Sequence, residues 1–296
     1  MRGGSGLDLL IFTDNPGTRE TRLVHEEALR RGLRVEVKTP WDLSIPGSLP
    51  RDMGLVYVPS NMFHRGSTFE LVNRFLILEE LGREAVIINP LMSLLRYSKE
   101  HLTLKAGRIG YSHPRTLVTE SIEKAYEFAS ELLDEGKDVV LKPVCRARGV
   151  GVTRLSEIRC REDLMQFLAW YSRRHGAGVF YLQEFVENRG YDVRVFVVDG
   201  EVVGRMKRSN PGDWRYNASR GGVAEPFEDP VYDELAIRVA EAMDLKITGV
   251  DVLPGKDGTP YVLEANCYPG YTHLMAATGI PIYEKIVDFF QRTLKR

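Results

Sequence analysis

Short apolar runs alternate with amphipathic stretches over the first third of the chain. LDLLIF, LRVEVKTP, GLVYVPS and EAVIINP each read as a strand. TRETRLVHEEALRRG and TFELVNRFLILEELG repeat apolar residues at helical spacing and end at Gly32 and Gly82, so both predict helices. This alternation predicts a small α/β domain with a mainly parallel sheet over residues 1–95.

The pattern then changes. SKEHLTLKAG reads as a helix, PRTLVTE as a strand, and SIEKAYEFASELLDEG as a Ser-capped amphipathic helix. DVVLKP is a buried strand. A basic, glycine-bearing loop, VTRLS and the helix REDLMQFLAWYSRRH complete a unit expected over residues 96–178. A second unit is expected over 179–296 and opens with GVFYLQEFV. YDVRVFVVDGEVVGRMKRS is a hairpin turning at Asp199-Gly200. The polar loop NPGDWRYNASRGG, the helix PVYDELAIRVAEAMD, a second hairpin TGVDVLPGKDGTPYVLEAN and one final helix follow. Both units are α+β and rich in antiparallel strands, and they are expected to enclose a cleft.

Composition narrows the function classes. The 296 residues are 43% hydrophobic and 27% charged, ordinary for a globular protein. A net charge of −1 argues against a general nucleic-acid or membrane binder but leaves room for a local basic pocket. The three cysteines form no CxxC pair, and the N-terminus lacks a long apolar stretch, so a reducing cytoplasm is expected.

Candidate chemistry sits at strand ends. In YVLEAN, Glu264 and Asn266 are two positions apart and share a face. Asp251, in GVDVLP, lies on the strand expected to pair with theirs. Such oxygen donors suit magnesium; the pair alone fits an ordinary solvated strand end better, and the opposed Asp251 strengthens the metal reading. LKPVCRARGVGVTRL sets Lys142 before arginines and glycines, which suits an anion cradle or a plain hairpin turn. GRMKRSNPGDWRYNASRGG gathers Arg205, Lys207, Arg208, Arg215 and Arg220, which suits carboxylate or phosphate binding or a solvated loop. No HExxH or GxSxG occurs, and the six histidines are scattered, which excludes the usual zinc and serine-nucleophile patterns.

Taken in order, Lys99, VVLKP, RARGVGV, YLQEFV, YDVRVFVV, GDWRYNASRGG, TGVDVL and LEAN resemble the ATP-grasp superfamily. The resemblance is to its branch of ribosomal-protein glutamate ligases, lysine-biosynthesis carrier-protein ligases and coenzyme glutamate ligases. It implies a Rossmann-like N-terminal domain followed by a two-part ATP-grasp fold. It implies that Lys99 and Lys142 contact ATP phosphates and that Arg146 to Val152, with Arg148, Gly149, Val150 and Gly151, cover them. Gln183 belongs to the same site; Glu184, Phe185 and Val186 would meet the adenine edge, and Asp192 would lie near the ribose. Asp251, Glu264 and Asn266 match ligands for Mg2+ (or Mn2+). Arg208, Arg215, Asn217 and Arg220 match the loop around the γ-phosphate and acyl group. Ser98 stands where the family often has Asp, and CRARGVG is poorer in Gly and Ser than usual. The implied activity is ADP-forming ligation of an amino acid, such as glutamate, to a small-molecule or carrier-protein carboxylate by a homo-oligomer. A small-molecule kinase and a non-catalytic nucleotide-binding module are the alternatives. The loop Pro59 to Thr68 is a candidate part of the acceptor pocket.

Overall fold

Four short apolar strands, β1 (Leu7–Phe12), β2 (Val35–Lys38), β3 (Met53–Tyr57) and β4 (Val86–Ile88), pair in parallel in the order β2-β1-β3-β4. Between them run α1 (Arg19–Arg30) and α2 (Thr68–Leu81). Thr18 caps α1 by accepting from the Thr21 amide, and Ser67 with Glu70 forms a capping box on α2. The computed structural model describes residues 6–45, 47–64, 66–96, 98–144, 151–156, 158, 160–175, 178–216 and 221–295.

After α3 (Leu91–Leu95) and α4 (Lys99–Ile109) comes an antiparallel sheet. It contains β5 (Thr116–Thr119), β6 (Val139–Lys142), β7 (Thr153–Arg154) and β8 (Phe180–Glu184), in the order β5-β8-β6-β7. The helices α5 (Ile122–Asp134) and α6 (Arg161–His175) cover one face, where Ala129, Leu132 and Leu168 meet Val139, Leu141 and Leu182. Strand alternation therefore turns Val140, Lys142, Tyr181 and Gln183 to the other face.

The third sheet comprises β9 (Tyr191–Val198), β10 (Glu201–Ser209), β11 (Val223–Pro226), β12 (Ile247–Pro254) and β13 (Pro260–Asn266), ordered β11-β10-β9-β12-β13. The β9–β10 turn holds Asp199 and Gly200 at φ 50° and 80°, as a type I′ hairpin needs. On one face Val193, Val195, Val197, Val250 and Val252 pack with α7 (Val231–Ala242). On the other, Phe196, Val198 and Ile247 join α8 (Thr272–Thr278), α9 (Ile282–Leu294) and the β1 residues Leu9 and Ile11. One core thus fuses the first and third sheets. Among the described residues no helix is long and apolar enough to cross a membrane.

Besides the short helix α3, which the sequence reading lacks, four features differ from it. β8, expected to open the unit at 179–296, is an inner strand of the central sheet; its apolar alternation does not reveal its neighbours. The helix α4, expected within 96–178, packs on β13 and α7. β11 is a short edge strand, mostly exposed, with too little apolar patterning to be read. The single final helix is two, because Gly279 at φ 74° ends α8 and Pro281 follows.

Asn89, buried just after β4, bolts the first sheet to the third. Its Nδ2 donates to the carbonyls of Ile247 (2.8 Å) and Cys267 (3.1 Å), and its Oδ1 accepts from the amides of Lys246 and Ile247, both at 2.7 Å. Removing the amide strands four backbone groups. Asn89→Ala is expected to cost roughly 2–4 kcal/mol of unfolding free energy, read from the urea midpoint.

Candidate active site

The polar faces of the central and third sheets oppose one another across a cleft of about 940 Å3, part of it open to solvent. Lys142 and Gln183 reach it from the central sheet, Asp192, Asp251 and Glu264 from the third, and Lys99 from the start of α4. The β12–β13 register sets Asp251 opposite Glu264, as expected, and Gly249 opposite Asn266. A bulge between Asp251 and Val252 leaves Leu263 as the extra residue, and it too lines the cleft.

Two carboxylates and two guanidiniums lock the middle of this sheet. Register sets Arg208 opposite Asp192 and Arg194 opposite Asp251. Arg194 donates to both Asp251 oxygens at 2.6 Å. Arg208 does the same to Asp192 at 2.7 and 2.6 Å, and its Nη2 also lies 3.1 Å from Asp251 Oδ2. A Cβ at Gly249 would sit 3.1 Å from Pro269 Cβ, tighter than ordinary contact, and 3.4 Å from Arg194 Cδ. Burial alone would raise the pKa of Asp251, but Arg194 and Arg208 overcome it and hold the carboxyl below its usual range.

The four charges cancel. Elsewhere in the lining, Glu184 pairs with Lys137 at 3.1 Å and Arg215 with Asp213 at 2.7 Å. Among the described residues of the lining, Lys99 and Lys142 also face Glu264, whose Oε1 is 3.8 Å from Lys99 Nζ. Lys142 Nζ donates to Gln183 Oε1. Burial, then the neighbouring Lys99, push its pKa down to about 7 despite the opposing pull of Glu264. A buried ammonium this destabilised favours an anionic ligand.

A hard cation also has donors here. Asp251 accepts three charge-assisted bonds, leaving about one of roughly four lone-pair sites. Glu264 lines the cleft, and Asn266, whose Nδ2 donates to the Gly249 carbonyl at 3.3 Å, shares its strand face without itself lining the cleft. Two carboxylates and one amide oxygen fit magnesium chemistry. Among the described residues no cluster of three His, Cys, Asp or Glu side chains stands ready for a metal.

At the other end the cleft is walled by rings. Phe185 and Trp214 meet edge-to-face at 5.7 Å, and the Arg154 guanidinium lies 3.9 Å from the Phe185 centroid. Arg215 donates from Nη1 to the Val152 carbonyl at 3.3 Å, joining the arginine-bearing loop to the strand end after the glycine segment. Phe185 and Val186 line this part, and the Phe185 amide is committed to the Asp138 carbonyl at 2.8 Å.

The structure thus brings together Lys99, Lys142, Gln183, Glu184, Phe185, Val186, Asp192, Arg215, Asp251 and Glu264. Gly151, at φ 76°, lies two residues before β7. Arg208 is relocated. Expected beside the reacting groups, it is 2% exposed and committed to Asp192 and Asp251, because those two carboxylates are its register neighbours. Arg148, Gly149, Val150, Asn217 and Arg220 lie outside the described residues. Sequence reading missed Arg194, Arg154 and Trp214. Arg194 was signalled by two charges, with Asp192, on one face of an otherwise apolar strand; Trp214 stood inside a loop weighed only for its arginines.

Comparison with known proteins identifies the family. Residues 98–290 match the RimK-like ATP-grasp domain. The chain is 31% identical over 233 residues to the tetrahydromethanopterin:alpha-L-glutamate ligase of Methanocaldococcus jannaschii, covering 76% of this chain and 77% of that one. The structure of the ATP-grasp ligase PsnB with a minimal precursor superposes with a TM-score of 0.74 at 20% identity, over 97% of this chain and 99% of that one. PsnB complexed with a phosphomimetic precursor variant, Mg and ADP gives 0.73 at 20% identity, over 98% and 100%. With the match spanning most of the two facing sheets and the relative covering three-quarters of each chain, the protein belongs to the RimK-like ATP-grasp family of ligases.

Proposed function

We propose that the protein is an ATP-dependent carboxylate–amine ligase that adds an amino acid, glutamate by analogy with its relative, to a carboxylate acceptor. The observation that carries this reading is the convergence of Lys99, Lys142, Asp251 and Glu264 on one cleft with an aromatic end wall. The family fold implies ATP binding. The base would lie toward Phe185, Val186 and Trp214, with Asp192, held still by Arg208, near the ribose.

Lys99 and Lys142 hold the phosphates, whose charge supplies the anion that the buried ammonium lacks. A Mg2+ or Mn2+ ion held by Glu264, Asn266 and one oxygen of Asp251 would neutralise the transferring phosphoryl group. The acceptor carboxylate oxygen takes the γ-phosphoryl group, the bond to ADP breaks, and an acyl phosphate results. The amine then attacks the acyl carbon, the bond to phosphate breaks, and an amide, inorganic phosphate and a proton are released. Catalysis is by positioning and charge stabilisation, so no protein nucleophile is needed.

Arg215 supports the reaction by tying its loop to Val152 over the phosphates. Arg148, Gly149, Val150, Asn217 and Arg220 belong to the same covering segments by family resemblance. With Arg208 buried, Arg215 and Arg220 are the guanidiniums left to meet the acyl group. The acceptor pocket draws on the first domain. The loops after β1 and β3 join through Thr13 and Ser60 (2.9 Å), and α1 touches the segment after Asn266 through Tyr271 Oη to the Glu20 carbonyl (2.9 Å). The acceptor is a small molecule or a carrier peptide, and the family resemblance points to a cytoplasmic homo-oligomer. The kinase alternative is disfavoured because the relative matched over most of both chains is named as a ligase.

ADP and phosphate are expected only when acceptor and amino acid are both present; AMP and pyrophosphate would contradict the acyl-phosphate route. Glu264→Ala is expected to lower kcat by about a hundredfold or more. The depressed Lys142 pKa adds a pH signature. Phosphate binding favours the ammonium, so ADP affinity is expected to fall as pH rises above about 7. At about pH 8, binding should take up about one proton, read as a buffer-dependent calorimetric enthalpy.

A further inference from the structure

Lys142 depends on an amide, and something must fix which way that amide points. Among the described residues no carboxylate lies within 4.0 Å of its Nζ, and its hydrogen-bond partner is Gln183 Oε1. An amide turned end for end would aim its NH2 at the ammonium, two donors facing each other.

Thr116 decides the orientation. It pairs with Gln183 across β5 and β8, while Lys142 pairs with Tyr181, so Gln183 is the diagonal neighbour of the lysine. Thr116 Oγ1 donates to the Pro114 carbonyl at 2.7 Å. That oxygen can only accept, so the one hydroxyl hydrogen of Thr116 is committed there. Thr116 Oγ1 can then only accept from Gln183, and the 2.8 Å contact is made by Nε2. Tyr181 Oη and His113 Nε2, each 3.4 Å from the same nitrogen, lie on the acceptor side as well. His113 Nδ1 is 2.8 Å from the Val262 carbonyl, which requires the proton on Nδ1 and leaves Nε2 of the neutral ring to accept. Gln183 is 2% exposed, so water does not compete for the amide.

The geometry points to Thr116 as a positioning residue: through Gln183 it directs an acceptor oxygen at Lys142 and so keeps that ammonium charged for a phosphate. This rests on the ATP-site reading above. Among the described residues, the charged and titratable groups around Lys142 are Lys99 from α4, Glu264 from β13, Tyr181 from β8 and His113 from the segment before β5. Changing Thr116 removes no charge from this set, and Tyr181 also hydrogen-bonds to Thr116.

The test is ADP affinity of the full chain by calorimetry between about pH 6 and about pH 9. In the unaltered protein the affinity is expected to fall as pH rises through about 7. Thr116→Val, which keeps the shape and loses the acceptor, is expected to move that fall about one unit lower while leaving affinity near pH 6 within about twofold. Thr116→Ser should restore the profile. Gln183→Glu, which sets a carboxylate beside Lys142, should move the fall upward. A purely structural Thr116 would weaken binding equally at every pH, so a Thr116→Val profile that superimposes on the original after scaling overturns the assignment, as does failure of Thr116→Ser to restore it. If Thr116→Val does not fold, an unmoved profile in Gln183→Glu overturns it instead. Failure of the unaltered protein to bind ADP would sink the ATP-site reading itself and the inference with it.

Discussion

Cross-strand register in the five-stranded sheet is the constraint on which the rest of the site depends. It sets Arg208 beside Asp192, and Arg194 and Glu264 on either side of Asp251. A buried carboxylate without a partner is strongly disfavoured, and removing one member of a buried pair leaves an uncompensated charge. The apolar alternation of β9 and β12 fixes that register, because a one-residue slip would turn Val193, Val195, Val250 and Val252 out of the core. The same valines that build the core therefore aim the acids.

Neutralising four charges in the sheet sets the electrical character of the cleft. With Asp192, Asp251, Arg194 and Arg208 cancelling, among the described residues of the lining Lys99 and Lys142 face Glu264. The cleft is built to receive negative charge, and Lys142 bears the strain of waiting for it. Asp251 is held by its arginines in one orientation with little acceptor capacity left, which suits a ligand contributing a single oxygen. The first sheet takes part through Asn89 and the core shared by β1, α8 and α9, so the strand end bearing Asn266 and Cys267 is anchored from both sides.

Much of this was legible in the sequence where local physics decides the outcome. Helices with a serine or threonine cap and apolar spacing were readable, as were the hairpin through Asp199-Gly200 and the facing of Asp251 and Glu264. What escaped depends on long-range pairing. The central-sheet position of β8 rests on partners far away in sequence, β5 and β6. The burial of Arg208 follows from which residues oppose it, and no spacing within GRMKRS expresses that. Trp214 acquires meaning only when Phe185 and Arg154 arrive from the other sheet.

The most direct test of the account is whether nucleotide affinity is coupled to a divalent cation through Glu264. ADP titrated into the unaltered chain and into Glu264→Gln, each with and without Mg2+, separates the possibilities. The account expects Mg2+ to tighten ADP binding in the unaltered chain and to lose most of that effect in Glu264→Gln, where the ligand charge is gone but the shape is kept. Equal Mg2+ dependence in both, or none in the unaltered chain, would contradict it.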